Sequence, residues 1–134
     1  MRSTKIVTSF IKDDDRLLIL KRSNKVKSMK GLWAGISGII EGNEEPLERA
    51  KIEIFEEIGI SEDRITLVKS AEKMRVSSSQ YENHEWEIFP FLFEVKNITV
   101  NLNWENIEFK WIKVEELKKY QTVPSLQKVL FNLL

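Results

Sequence analysis

The sequence contains no cysteine, which removes disulfides, thiolate metal sites and cysteine nucleophiles together. It has one histidine, His84, so a multi-histidine metal site or a histidine-rich catalytic centre is excluded too. No apolar run approaches the ~20 residues that a membrane-crossing helix needs. The longest are Leu17 to Leu20 and Ile88 to Phe93. The N-terminus, Met1-Arg2-Ser3-Thr4-Lys5, leads into nothing of signal-peptide character, so the expectation is a cytoplasmic protein with no membrane partner. Net charge is also missing: 21 Lys and Arg balance 21 Asp and Glu. Whole-chain attraction to nucleic acid is therefore not expected. Repeats, low-complexity tracts and linkers are absent.

What remains is a chain of 134 residues, 42% hydrophobic and 31% charged. That is the balance of one globular domain, residues 1–134, able to bury roughly two-thirds of its unfolded surface. Its charges are segregated. Met1 to Gly31 holds nine Lys or Arg against three Asp, and Gly38 to Asp63 holds nine acids against two bases. One explanation is a solvated surface with uneven charge. The other is an acidic metal site beside a basic lip for an anionic substrate.

The β-branched segment Ile6 to Ile11 predicts a strand, Asp13-Asp14-Asp15 a turn, and Arg16 to Lys21 the returning strand. Arg22 to Gly31 reads as a polar loop, and Trp33 to Ile40 as a short strand or bent loop. Pro46 to Ile58 predicts a helix, with proline in its first turn and Gly59 as a left-handed cap. Further strands are expected at 65–68, 85–95 and 107–112, with a bulge or an edge at Pro90. Val114 to Lys119 and Ser125 to Leu134 read as helical. The pattern is α+β, a mixed sheet with helices packed on it.

On a wheel, Leu47, Ala50, Ile54, Phe55 and Ile58 form the expected core stripe of the mid-chain helix. Glu53, Glu56 and Glu57 lie to another side at spacings of three and four. Like charges so spaced repel by about 0.2–0.5 kcal/mol per pair. The negative end of the helix dipole adds about 0.3–1 kcal/mol against each. A divalent cation would reverse the sign of both effects, and carboxylate oxygens are the hard ligands Mg²⁺ prefers. Glutamates near helix ends are also common on plain solvated surfaces.

The surrounding residues add a longer pattern. Gly38, Glu44, Glu53, Glu56, Glu57, Gly59 and Ile60 stand as Gly-x5-Glu-x7-Ile-Glu-Ile-x-Glu-Glu-x-Gly-Ile. This resembles the Nudix box, Gly-x5-Glu-x7-Arg-Glu-U-x-Glu-Glu-x-Gly-U with U aliphatic, over 23 residues and at all defined positions but one. Gly31-Leu32-Trp33 and the segment Glu105 to Trp111 fit the same family. The resemblance implies an α/β/α sandwich with a mixed sheet, the box forming a loop–helix–loop. It implies hydrolysis of a pyrophosphate bond in a nucleoside diphosphate derivative, with Mg²⁺ or Mn²⁺. Carried over, Glu53, Glu56 and Glu57 hold metal, Glu53 being an alternative base for water. Gly38 offers its carbonyl, Glu44 braces the loop or holds the metal's water network, and Gly59 and Ile60 are structural.

The exception is position 52, where the family arginine that orients the glutamates is Ile52. The usual Pro-Gly-Gly upstream is Ile36-Ser37-Gly38. Arg49, four residues before Glu53, is a candidate replacement charge; its plainer role is a surface ion pair with Glu45 or Glu53. For substrate, Arg22, Lys25, Lys27 and Lys30 are candidates to meet phosphates, or are simply solvated. Among Glu85, Glu87, Glu105 and Glu108, Glu105 is preferred as an acid from outside the box. His84 is a candidate phosphate contact, although a lone histidine at a strand entrance is more often just surface. Tyr81, Trp86, Phe91 and Trp104 are candidates to stack on a base, whereas Trp33 and Trp111 suit packing. The expected partner is a small nucleotide, with a capped RNA end left open. A homodimer is expected only by analogy with relatives. The alternative function is a nucleotide-binding module that kept the fold and lost turnover, for which Ile52 is the main argument.

Overall fold

The computed structural model describes residues 2–77 and 84–134, so Tyr81 lies outside the described residues. Strand β1 (Arg2–Asp13) turns at Asp14, whose φ is 56°, into β2 (Arg16–Arg22). Trp33 to Ile40 is two short strands, β3 (Trp33–Ala34) and β4 (Ile36–Ile39), divided at Gly35. There a side chain would press to 2.9 Å from the Ser9 carbonyl oxygen. Helix α1 (Pro46–Ile58) follows, then β5 (Thr66–Ser70), β6 (Met74–Ser77), β7 (His84–Glu94) and β8 (Asn106–Ile112). Residues 114–119 form 3₁₀ turns, and α2 (Leu126–Phe131) is shorter than the helical spacing predicts. Strand β6 has no counterpart in the sequence reading: four residues alternating half-buried and exposed give too short a pattern.

The sheet runs β3-β2-β1-β7-β5, with β4 also on β1, β6 on β7 and β8 on β2. Strands β1 and β7 pair in parallel from Arg2 and His84 to Lys12 and Glu94. The other strand pairs are antiparallel. Pro90 therefore sits in an interior strand rather than at an edge. Its carbonyl accepts the Ala71 N–H at 3.3 Å, in the break between β5 and β6. A residue's N–H and C=O point to the same side of a strand, so the donor that proline lacks faces that break. The register shift in the β5–β7 pair lies between Leu67 and Lys69, opposite Phe93 and Leu92 rather than at Pro90.

Each face of the sheet has its own core. One gathers Val7, Ile11, Leu18, Leu20, Ile36, Phe91 and Phe93 under Ala50, Ile54 and Ile58 of α1. The other gathers Phe10, Leu17, Ile19, Ile88 and Leu92 under Leu126, Val129 and Leu130 of α2. This is an α/β/α sandwich with a mixed sheet. Phe91 and Trp111 belong to the first core and Trp33 to the second, which leaves Phe91 no role as a base-stacking surface.

Helix α1 is rotated relative to the expected wheel. Phe55 is 59% exposed, whereas Glu53 and Glu57 are only 8% and 4% exposed. Phe55 lies about 100° round from Ile54, on the side away from the sheet. The buried stripe runs through Ala50, Ile54 and Ile58 and extends to the two glutamates. No helix among the described residues is long and apolar enough to cross a membrane.

Candidate metal centre and substrate cavity

The C-terminal end of α1 is closed by Gly59, whose φ of 75° lets its N–H reach the Phe55 carbonyl at 3.0 Å. This fixes the last turn, and with it Glu53 and Glu57. Glu105, from the loop before β8, joins them. One carboxylate oxygen from each of the three lies within 4.8 Å of the others. Glu56 is exposed and stands outside that group, which Glu105 joins from outside the box.

Each acid is held in place. Asn106 Nδ2 donates to Glu57 Oε1 at 3.1 Å, while the buried Glu57 Oε2 has no hydrogen-bond partner. Asn103 Oδ1 accepts the Glu105 N–H at 3.0 Å, and its Nδ2 donates to Glu105 Oε1 at 3.3 Å. Glu53 lies directly on Gly38 of β4: a Cβ there would sit 2.2 Å from Glu53 Cγ. Glu44 is not one of the three acids and reaches Glu53 through Arg49. It accepts the Glu41 N–H at 2.8 Å and binds the Arg49 guanidinium through both oxygens, which makes it the loop's brace.

The electrostatics follow the geometry. Burial pushes the Glu53 carboxyl up, and it pushes Glu57 up much further, with the Glu105 charge adding to it. Arg49 holds Glu44 below the usual carboxylate range. A carboxyl raised on folding stabilises the fold below its unfolded pKa and withdraws that stability as pH rises through its folded value. Without divalent cations, the melting temperature should therefore fall from pH 5 to pH 8. Thermal denaturation in EDTA across that range checks it, and a flat or rising profile contradicts it. Glu44 and Glu87, both held low, act only below the ordinary value of 4.5 and leave this window clear.

These donors fit a hard divalent cation. They are carboxylate oxygens on a rigid turn, one buried oxygen has no partner, and the clustered charge is otherwise unfavourable. Glu53, Glu57 and Glu105 are the residues that would hold it, with Glu56 at the rim.

A cavity of about 430 Å³ opens beside this centre. Arg22, Glu41, Arg49, Glu53 and Glu105 are among its lining residues, together with Gly38. Trp86, Val76, Ile88, Leu126 and Val129 give it apolar walls, and Thr8 and Ser37 place hydroxyls there, 3.2 Å apart. Arg22 spends its Nε and Nη2 on the Ser28 carbonyl, at 3.2 and 3.0 Å, which ties down its loop. Lys25, Lys27 and Lys30 are exposed and do not line the cavity. Neither do the exposed Trp104, or Glu85, Glu87 and Glu108. Glu85 pairs with Arg75, and Glu87 with Lys73 at 3.1 Å. His84 Nε2 bonds Thr4 Oγ1 at 2.8 Å and meets Trp86 edge-on at 5.0 Å. Asn103 and Asn106 escape the sequence reading. Their only signal is an amide on either side of Glu105.

A family model described as the NUDIX domain matches residues 2–133. Among curated proteins, the chain is 28% identical over 151 residues to dihydroneopterin triphosphate diphosphatase of Haemophilus influenzae, covering 96% of this chain and 87% of that one. It is 28% identical over 120 residues to RNA pyrophosphohydrolase of Bartonella clarridgeiae, covering 76% and 67%. Among solved structures, a MutT protein from Methanosarcina mazei Go1 matches with a TM-score of 0.75 and 20% identity, covering 97% and 91%. A C. elegans Ap4A hydrolase binary complex matches with a TM-score of 0.75 and 18% identity, covering 98% and 94%. These two structures share the fold. With the box intact but for Ile52, and with Glu53 and Glu57 gathered beside Glu105, the family match over nearly the whole length is decisive, and the chain belongs to the Nudix family of hydrolases.

Proposed function

We propose that this hydrolase cleaves a pyrophosphate bond in a small anion that has one aromatic head, such as a nucleoside or pterin triphosphate. The observation that carries the reading is the polarity of the cavity. Its ionic residues, Arg22, Glu41, Arg49, Glu53 and Glu105, share it with apolar walls that include Trp86, Ile88 and Leu126. An extended phosphate chain matches the first set, and a flat uncharged ring matches the second. The dihydroneopterin triphosphate diphosphatase relative supports a substrate of this shape. We place the enzyme in the cytoplasm, where such anions are made and used.

When bound, Mg²⁺ or Mn²⁺ supplies charge neutralisation for the phosphate oxygens and an acidified water. The chain's own residues do the rest. Glu53, Glu57 and Glu105 fix where the positive charge sits, and the apolar wall holds the head group so that the phosphates reach them. Arg22 presents positive charge at the mouth, and Gly38 keeps the backbone low enough for Glu53 to lie over it.

The test is product analysis, for nucleoside monophosphate, pyrophosphate and phosphate, on a panel: nucleoside triphosphates, dihydroneopterin triphosphate, a dinucleoside tetraphosphate, ADP-ribose and 5′-triphosphorylated RNA. The expected result is turnover of monomeric triphosphates with Mg²⁺ or Mn²⁺, falling to background in EDTA. Undiminished turnover in EDTA would refute the metal centre. Binding without turnover under all conditions would favour the inactive-module alternative that Ile52 suggests.

A further inference from the structure

Ile52 stands where the family pattern has an arginine, and it is 41% exposed, in no position to orient an acid. A guanidinium nonetheless stands beside Glu53. Arg49, one turn earlier, donates from Nε to Glu44 Oε1 at 3.0 Å, from Nη2 to Glu44 Oε2 at 2.5 Å, and from Nη1 to Glu53 Oε2 at 3.0 Å. One planar fork thus joins the loop before the helix to an acid of the metal centre. Glu44 extends the link by accepting the Glu41 N–H across the turn at Gly42, whose φ is 57°. Lys51, the other base on this helix, pairs with Glu48 and Glu62 and takes no part.

We propose that Arg49 is a positioning residue that ties Glu44 to Glu53, doing from one turn upstream what position 52 no longer does. Three directed bonds over two acids are a matter of geometry as well as charge, and a lysine's single ammonium cannot reproduce the fork. Positions 49 and 52 lie roughly 60° apart on the helix, so a long side chain at either can reach the same flank of Glu53. The proposal rests on the hydrolase reading for its catalytic consequence, but the tie itself exists in the ion-free protein.

The experiment uses the full chain with R49A, R49K, K51A and R49A/I52R. In R49A kcat should fall about 10–100-fold, as when a supporting partner of a metal ligand is lost, with KM nearly unchanged. K51A should match the parent. R49K should recover only part of the loss, and R49A/I52R should recover more of it than R49K. A loss confined to KM would overturn the proposal in favour of direct phosphate contact, because Arg49 also lines the cavity. A double variant no better than R49A would overturn the equivalence of the two positions. Thermal denaturation in EDTA of R49A, E44Q and R49A/E44Q reads the tie without any activity. Effects on melting temperature that are smaller together than summed support it, and additive effects overturn it. A parent chain with no turnover on the panel refutes the hydrolase reading instead and leaves this cycle interpretable.

Discussion

Replacing Glu57 by glutamine should lower kcat by about 10²–10³-fold, the loss that follows removal of one preorganised electrostatic contact. The same substitution should raise the melting temperature of the ion-free protein at neutral pH. Glutamine keeps the size of the side chain and an oxygen for the Asn106 amide at 3.1 Å. What it removes is a buried negative charge that faces Glu53 and Glu105, and in place of the unpartnered Glu57 Oε2 it offers an N–H₂ to those acids. Burial already pushes the Glu57 carboxyl far upward, so the parent chain loses stability as pH rises and the variant should lose less, Glu53 alone remaining raised. Steady-state kinetics with Mn²⁺ and denaturation in EDTA between pH 5 and pH 8 measure both halves. Unchanged kcat would remove Glu57 from the centre, and a lower melting temperature at pH 8 would deny that its charge is the destabilising element. Activity and stability moving in opposite directions is what distinguishes a functional charge from a packing residue.

The second large effect belongs to a residue with no side chain. In Gly38→Ala, the new methyl would fall 2.2 Å from Cγ and 2.3 Å from Cδ of Glu53. Real atoms cannot approach so closely, so Glu53 must swing aside, breaking its 3.0 Å bond to Arg49. Gly38 is not among the glycines with positive φ, so the backbone itself accepts alanine. The expected result is a folded protein, destabilised by about 1–3 kcal/mol in the manner of an overpacked site. Activity should fall about 10²-fold, because a displacement of about 1 Å at a reacting centre has that effect. Circular dichroism melting and the release assay check the two numbers. Full activity in a folded Gly38→Ala protein would mean that Glu53 works from another rotamer.

How far the sequence foretells this molecule depends on the range of the information. The Nudix box is local, and spacing along one helix and its flanking loops is enough to bring Glu53, Glu57 and Gly38 into one neighbourhood, although the metal ligation expected of them is a separate matter. Glu105 is a different case: four acids outside the box fit the chemistry, and only the tertiary fold decides which loop arrives beside α1. Glu56 is the converse case. Its spacing is right, but the rotation of α1 about its axis, set by where the sheet lies, turns it to solvent. The same rotation exposes Phe55, which a wheel drawn from hydrophobicity alone assigns to the core. Asn103 and Asn106 are invisible beforehand because an amide that orients a carboxylate looks like any polar residue at a strand's start. Pro90 misleads because a proline is a local signal, whereas its tolerance depends on a gap in a strand about twenty residues away.

The parallel pairing of β1 with β7 has a consequence for how the chain reaches this state. Arg2 waits for His84, and Lys12 for Glu94. On the ribosome, the first strand emerges long before its central neighbour exists, with only β2 and then β4 available to partner it. Its exposed edge must stay unpaired through the synthesis of the whole catalytic helix. Closing so distant a contact is intrinsically slower than pairing neighbours along the chain. Lys5 and Lys12 on that waiting strand meet Glu87 and Glu94 on the late one in register, bringing opposite charges to the encounter.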